Sequence, residues 1–447
     1  MRKYCIFGKT FGKPLLGLSI FLGVASVSAA DETDPAHPQL EQLLRRIENL
    51  ERANEGLRKE LDALKEDLQS IPASGSVSVP RSEPTGETEP ELELASPAFQ
   101  DNIRLSGEAG LAFFHTDKEG AFPNSEFRVD EARLFLDVKL MQDTYLFSEI
   151  LIAERERDNV DLRMGEFYVD FEELPWISRG DHVSNLRVGR MDVPFGEEYL
   201  TRDAIDNPLI SHSLTDFWGI DEGLELFGHA GGFDYVVAVQ NGSNPATFDG
   251  DADKSVVGRF GYTPGDRLRL SLSAMRTGDI NSEEEKFTEL WFGNGFFRAI
   301  GDPETTTTFD VNLVQGDAKV DLERGHISAF VGYLEYRDDD TAADNKRDAW
   351  YYALEGVHDV TRSLYGAARF SQIQSDDGMP IVGQAPFGTL FSGDLVEDIW
   401  RLSLGVGYRW SPKLVLKSEY SFERGDRVSG EKIKDRDFFS VELALGF

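Results

Sequence analysis

The chain ends Phe439-Ser440-Val441-Glu442-Leu443-Ala444-Leu445-Gly446-Phe447. In an extended strand Phe439, Val441, Leu443, Leu445 and Phe447 share one face, and Ser440, Glu442, Ala444 and Gly446 share the other. Such strict alternation puts one face in an apolar medium and the other among small or polar neighbours. The last strand of a soluble sandwich seldom stops on its apolar face. The pattern therefore predicts an all-β transmembrane barrel.

The same rhythm recurs from residue 101 to residue 447 and predicts about sixteen antiparallel strands. Connections alternate in length. Tight turns fall at Gln142-Asp143-Thr144, Gly231-Gly232, Thr263-Pro264-Gly265-Asp266, Arg324-Gly325, Val360-Thr361-Arg362 and Ser411-Pro412. Long connections span 194–221, 241–254, 277–307, 375–396 and 424–436. Short turns on one rim and long loops on the other mark a bacterial outer-membrane barrel. The connection 172–183 breaks the rule. In the second strand Ala132, Leu134, Leu136, Val138 and Leu140 would meet lipid, with Glu131, Arg133, Asp137 and Lys139 on the lumen wall. Charge of both signs on an inward face needs water, so a hydrated interior is expected, too wide for side chains to fill.

Before the barrel, residues 1–30 read as a secretory signal: Arg2, Lys3, Lys9 and Lys13, an apolar run from about Leu15 to Val27, then Ser28-Ala29-Ala30. The single cysteine, Cys5, lies inside it, so disulfide and thiol chemistry are not expected of the mature protein. Residues 38–70 carry an unbroken 3-4 repeat that includes Leu43, Ile47, Leu50, Asn54, Leu57, Leu61 and Leu64. This predicts a periplasmic coiled coil whose seam joins copies of the chain, with Asn54 setting the register. A trimer is favoured over a dimer. Residues 71–100, rich in Ser, Pro, Gly and Glu, read as a flexible acidic linker.

Eighty acidic residues against 46 basic ones give a net charge of −34. That balance argues against nucleic acid, whose binding needs basic patches. No metal or cofactor is expected. His212 and Asp216 stand four apart with no third ligand evident. Asp249-Gly250-Asp251-Ala252-Asp253 begins like a calcium loop, but Lys254 replaces its glycine and Phe260 its closing glutamate. Glu283-Glu284-Glu285 reads as a solvated charge run. No nucleophile elbow or phosphate loop occurs, and no catalytic residue is assigned, so an enzyme is not expected.

The long connection after the fifth strand holds the densest chemistry. With its strand it runs Arg187-Val188-Gly189-Arg190-Met191-Asp192-Val193-Pro194-Phe195-Gly196-Glu197-Glu198, and continues through Arg202, Asp203, Asp206, His212 and Asp216. The run resembles the phosphate-selective porin O/P family, whose members carry an R-x-G-x-x-x-x-P-F-G-x-E-like stretch here. The resemblance is clearest over about 184–228. It implies a sixteen-stranded trimeric channel in the outer membrane, with lipid, lipopolysaccharide and the barrel assembly machinery as partners. Phe447 resembles that machinery's recognition signal.

On this reading the loop after strand five folds inward as the pore constriction, formed by Glu197, Glu198, Arg202, Asp203, Asp206, His212 and Asp216. The family's phosphate specialists line the channel with basic residues. Arg128, Arg133, Arg163, Arg187, Arg190 and Arg369 are the candidates here, with Arg187 assigned to the lumen wall. The loop's own acids outnumber its lone Arg202, and carboxylates around a narrow passage favour cations. The expected function is passive diffusion of small hydrophilic or charged solutes. The alternative is a structural outer-membrane anchor that uses the coiled coil as a cell-wall tether.

Overall fold

The computed structural model describes residues 102–155, 162–174, 183–242, 252–283, 290–293, 295–300, 305–379, 381–383 and 395–447. The signal, coiled coil and linker lie outside the described residues, as do 249–251, Glu284, Glu285 and most of the connection 172–183.

Sixteen principal strands follow one another along the chain. They are β1 (Ile103–Thr116), β2 (Glu126–Met141), β3 (Thr144–Ala153), β4 (Arg163–Phe171), β5 (Asn185–Asp192) and β6 (Ile220–Ala230). Next come β7 (Phe233–Gln240), β8 (Ser255–Tyr262), β9 (Leu268–Arg276), β10 (Thr308–Leu322) and β11 (Gly325–Asp338). The last five are β12 (Arg347–Asp359), β13 (Leu364–Met379), β14 (Val396–Ser411), β15 (Leu414–Arg427) and β16 (Phe438–Gly446). Each pairs antiparallel with the next, and β16 returns to β1 in the register Glu108↔Gly446 through Thr116↔Phe438. The barrel is closed.

Alternation decides which side chains face out. Phe127 is 84 % and Leu272 63 % exposed on the outer surface, and Leu105, Val331, Leu354 and Val406 are also exposed on it. Outward aromatic pairs mark its two margins. Tyr333 and Trp350 pack at 5.1 Å towards the long-loop rim, and Phe233 and Tyr262 at 4.4 Å towards the short-turn rim. An apolar belt between aromatic girdles is the surface a lipid bilayer requires.

The seam depends on a glycine. Phe447 donates its amide to the Gly107 carbonyl at 2.9 Å and accepts the Gly107 amide at 3.3 Å, which extends the β1–β16 ladder to the last residue. A Cβ on Gly107 would lie 2.6 Å from the Phe447 ring and 2.7 Å from the Arg133 carbonyl oxygen.

Part of the interior departs from the expectation of an unfilled, hydrated lumen. Short strands in three long connections, Phe217–Trp218, Trp291–Phe292, Gly295–Phe297 and Ile381–Gly383, join into a small antiparallel sheet. Trp218 and Trp291 stack across it at 5.1 Å, nearly parallel. Beneath it lies an apolar core that combines wall residues Val257, Leu313, Leu334, Tyr336, Tyr351 and Ile373 with loop residues Phe195, Leu214, Phe217, Leu290, Phe292 and Phe297. The mixed charge of β2 is not shared by the long-loop halves of β10 to β13, and the loops supply the volume that wall side chains lack.

Gly107→Val is expected to destabilise the barrel by about 1–3 kcal/mol through overpacking at the seam, while Ala109→Val, one outward position away, leaves it unchanged. Urea unfolding midpoints of the two variants in detergent check this.

Candidate functional site

The connection between β5 and β6 (193–219) turns into the barrel. Phe195 is buried in the apolar core with its ring edge-on to Phe217 at 4.9 Å. Gly196 follows at φ +68°, a conformation that favours glycine. Its amide donates to Ser273 Oγ at 3.0 Å, and its carbonyl accepts Arg259 at 2.9 Å. A Cβ here would meet the Gln315 side chain at 2.6 Å. Backbone thus lies directly against β8, β9 and β10.

From there the loop crosses to the other side of the ring. Glu197 takes both arms of Arg269 on β9 at 2.9 Å each. After the short 3-10 turn Glu198–Thr201, Asp203 reaches Arg133 on β2 at 3.0 Å. Around Arg133 also stand Glu108 at 3.9 Å, Glu131 at 3.3 Å and Glu149 at 3.6 Å. Arg202 bridges Asp216 at 3.2 Å, its guanidinium over the Trp218 ring, and His212 Nδ1 lies 3.3 Å from the same carboxylate.

The loop's second half is bolted to the wall from β13 to β16. Lys417 on β15 donates to the carbonyls of Ala204 at 2.7 Å and Leu209 at 3.0 Å, and pairs with Glu442 on β16 at 2.6 Å. Glu419 accepts the amides of Ile210 and Ser211 at 2.6 and 2.8 Å. Arg369 on β13 donates to the Ser211 carbonyl at 2.7 Å and to Asn207 at 2.9 Å while paired with Glu355. Arg155 holds the Ile210 carbonyl from the end of β3 and pairs with Asp130 at 2.6 Å and Glu131 at 3.0 Å. Charged groups removed from water keep their charge only when paired this fully.

All seven candidate constriction residues thus belong to one inward-folded segment. Their environments differ. Glu198 accepts the Ser213 amide at 2.8 Å and its hydroxyl at 2.6 Å. Burial, reinforced by Asp216, pushes its carboxyl up to about 7, against the pull of Arg369 and Ser213. Asp216 goes the other way: burial opposes ionisation, but Arg202 and His212 hold the carboxyl below its usual range. Burial keeps His212 below the ordinary imidazole value, with Arg155 and Arg202 adding to the effect and Asp216 countering it. With Arg202 on the same carboxylate, His212 and Asp216 form a hydrogen-bonded pair within a wider charge cluster.

On the wall, Glu131, Arg133, Asp137, Lys139 and Arg187 fall on inward positions. Lys139 and Asp137 lie towards the short-turn mouth. Arg187 bridges Asp170 at 2.7 Å and Glu225 at 3.5 Å, and its guanidinium sits 3.9 Å from the Tyr168 ring centre. Of the six arginines proposed for a basic wall, Arg190 is a correction. It pairs in register with outward Phe167 and bridges Glu222 at 3.6 Å on that outer face. The other five face inward and are engaged by carboxylates, Arg128 by Asp130 at 3.7 Å and Arg163 by Glu154 at 2.6 Å. Sequence reasoning missed the clamp of Lys417, Glu419 and Glu442. Its signal was present: charged residues at 417, 419 and 423 alternate along a strand with Leu414, Leu416, Tyr420 and Phe422 on its opposite face.

No family model matches the chain, and no curated protein does. Solved structures do. OmpT, an outer membrane protein of Vibrio cholerae in its trimer form, aligns with a TM-score of 0.52 at 10% identity over 77% of this chain and 99% of that one. The outer membrane channel DcaP of Acinetobacter baumannii aligns with a TM-score of 0.52 at 12% identity over 77% and 97%. At these identities the likeness establishes the barrel fold.

Because the Glu198 carboxyl is raised in the folded state, its effect on stability is unfavourable once the unfolded chain ionises. The contribution of Glu198 to stability should fall as pH rises from about 4.5 through about 7. Glu198→Gln should flatten that slope. Thermal unfolding at pH 5 and pH 8 measures it, and equal slopes in both proteins would contradict the assigned shift.

Proposed function

We propose that this chain is an outer-membrane porin, a non-enzymatic channel for passive diffusion of small hydrophilic solutes, narrowed by the segment 193–219. The observation that carries the reading is the loop bridged to β9 at one end and β2 at the other inside a closed barrel with an apolar outer belt. A protein that only anchors itself in a membrane has no need for buried charge clusters that hold a loop across its own lumen.

In this reading the short turns face the periplasm and the long loops the exterior. Glu197, Glu198, Arg202, Asp203, Asp206, His212 and Asp216 form the constriction. Solutes pass along the charged wall from β1 to β6, where Arg133 and Asp203 keep 21 % and 34 % of their side-chain surface accessible. Asp203, the most accessible of the carboxyl groups around Arg133, favours cations over anions. That argues against phosphate as the preferred solute, and the inward arginines, each already engaged by acids, support the same view. The heptads of residues 38–70 would join three copies in the periplasm, in keeping with the trimer form of the Vibrio protein. Phe447, last in the seam ladder, would present the assembly signal.

Reconstitution in planar bilayers tests the reading. Conductance is expected in steps grouped by three, with a reversal potential in a salt gradient that reports cation preference. Asp203→Asn should lower the cation-to-anion permeability ratio roughly twofold. Folded protein that inserts but never conducts would refute the channel.

A further inference from the structure

Between the inward loop and the wall from β9 to β13 lies a cavity of about 490 Å3, of the size that holds small ligands. Its wall residues sit at successive inward positions: Ser271 on β9, Asp317 on β10, Phe330 on β11, Ala353 on β12 and Arg369 on β13. The next inward residue on each strand, one step towards the long-loop rim, is Ser273, Gln315, Gly332, Tyr351 and Ser371. Apart from Gly332 these are at most 4 % exposed. Gly332 is filled over, since a Cβ there would lie 2.0 Å from the Tyr351 ring. On the loop side Leu214 is wholly buried and donates its amide to Ser371 Oγ at 2.9 Å. The cavity is therefore roofed on its long-loop side along five consecutive strands, and the apolar core lies above the roof.

Most charged groups in the cavity are already committed. Arg269 is taken by Glu197 and Asp234, and Arg369 by Glu355 and the loop backbone. Two are not. Lys319, inward on β10, and Asp206, exposed on the loop, both line the cavity, and neither side chain has a hydrogen bond or close ion pair among the described residues, Lys417 acting on Asp206 only at longer range. Leu200, Pro208, Phe330 and Ala353 supply apolar surface in the same cavity. One cation and one anion, neither closely paired, and greasy walls select a molecule that carries both charges on a short carbon skeleton.

We propose that this cavity is a binding site for a small zwitterion of the amino-acid or short-peptide class, entered from the short-turn side and set beside the conduit, not in it. The site's position beside a conduit rests on the porin reading; the binding chemistry does not. Solute held here would be retained at the inner mouth while the β1–β6 side stays open.

The probe is 6-aminohexanoate, with hexanoate and hexylammonium as single-charge controls, titrated calorimetrically into the folded full-length protein. The zwitterion should bind about tenfold more tightly than either control, and Lys319→Gln or Asp206→Asn should each weaken it by about tenfold, the worth of one charge-assisted contact. No binding, or equal binding by both variants, overturns the site; hexanoate binding as well as the zwitterion overturns the ligand class. A second arm places the site. Ser328→Cys carrying a bulky thiol label should abolish binding and leave single-channel conductance within about a fifth of the unlabelled value, because the roof already excludes ions there. A conductance loss of half or more would put the cavity in the conduit and overturn its placement. If no protein conducts, the porin reading fails while the calorimetric result stands on its own.

Discussion

A backbone amide in hydrocarbon has no water to bond, so a strand that enters a membrane must be paired on both edges. Everything else in this molecule follows from meeting that condition at the junction of β16 with β1. The ladder runs to the terminal Phe447, and Gly107 leaves its ring room to lie on the barrel. Once the ring is closed, outward positions meet only lipid and inward positions only the lumen. Alternation along each strand then becomes a division between two solvents.

Inside, the molecule uses two kinds of filling. From β10 to β13 the long-loop half is dry, with aromatic and aliphatic side chains packed against three returning loops. From β13 round to β3 the interior is ionic, and its charges hold loop backbone: Lys417, Glu419, Arg369 and Arg155 bind carbonyls and amides of residues 204–211. A loop segment without secondary structure exposes many unpaired peptide groups. Side-chain charges on the wall satisfy them where no sheet can, which explains why so many ionised groups are tolerated away from bulk water.

The barrel was legible because its signal is local. Each strand carries its own alternation, and the strands near 144–154, 184–193 and 267–276 were readable within a residue or two of β3, β5 and β9. The run from Arg187 to Glu198 was legible as a motif, and the geometry gives its residues work: Arg187 stacks on Tyr168, Phe195 enters the core, Gly196 turns the chain, and Glu198 caps Ser213. Those are the parts of a device that directs the loop inward, so the motif speaks about loop geometry and little about solute. The apolar core was not legible. It joins residues from eight strands and three loops, and no single segment looks unusual for containing a Phe292 or a Leu334. Arg190 was misplaced because a lone arginine in a strand suggests the wet face; its partner Glu222 on the adjoining strand lets it sit on the other.

The stacked Trp218 and Trp291 join two connections that belong to distant parts of the chain, and Ile381–Gly383 brings in a third. Surface loops are ordinarily the parts of a fold freest to change in sequence. Here three of them are tied together by one small sheet. Their tips can drift in sequence independently, but their bases must evolve together, and anything that pulled one base outward would disturb the packing inside the cylinder.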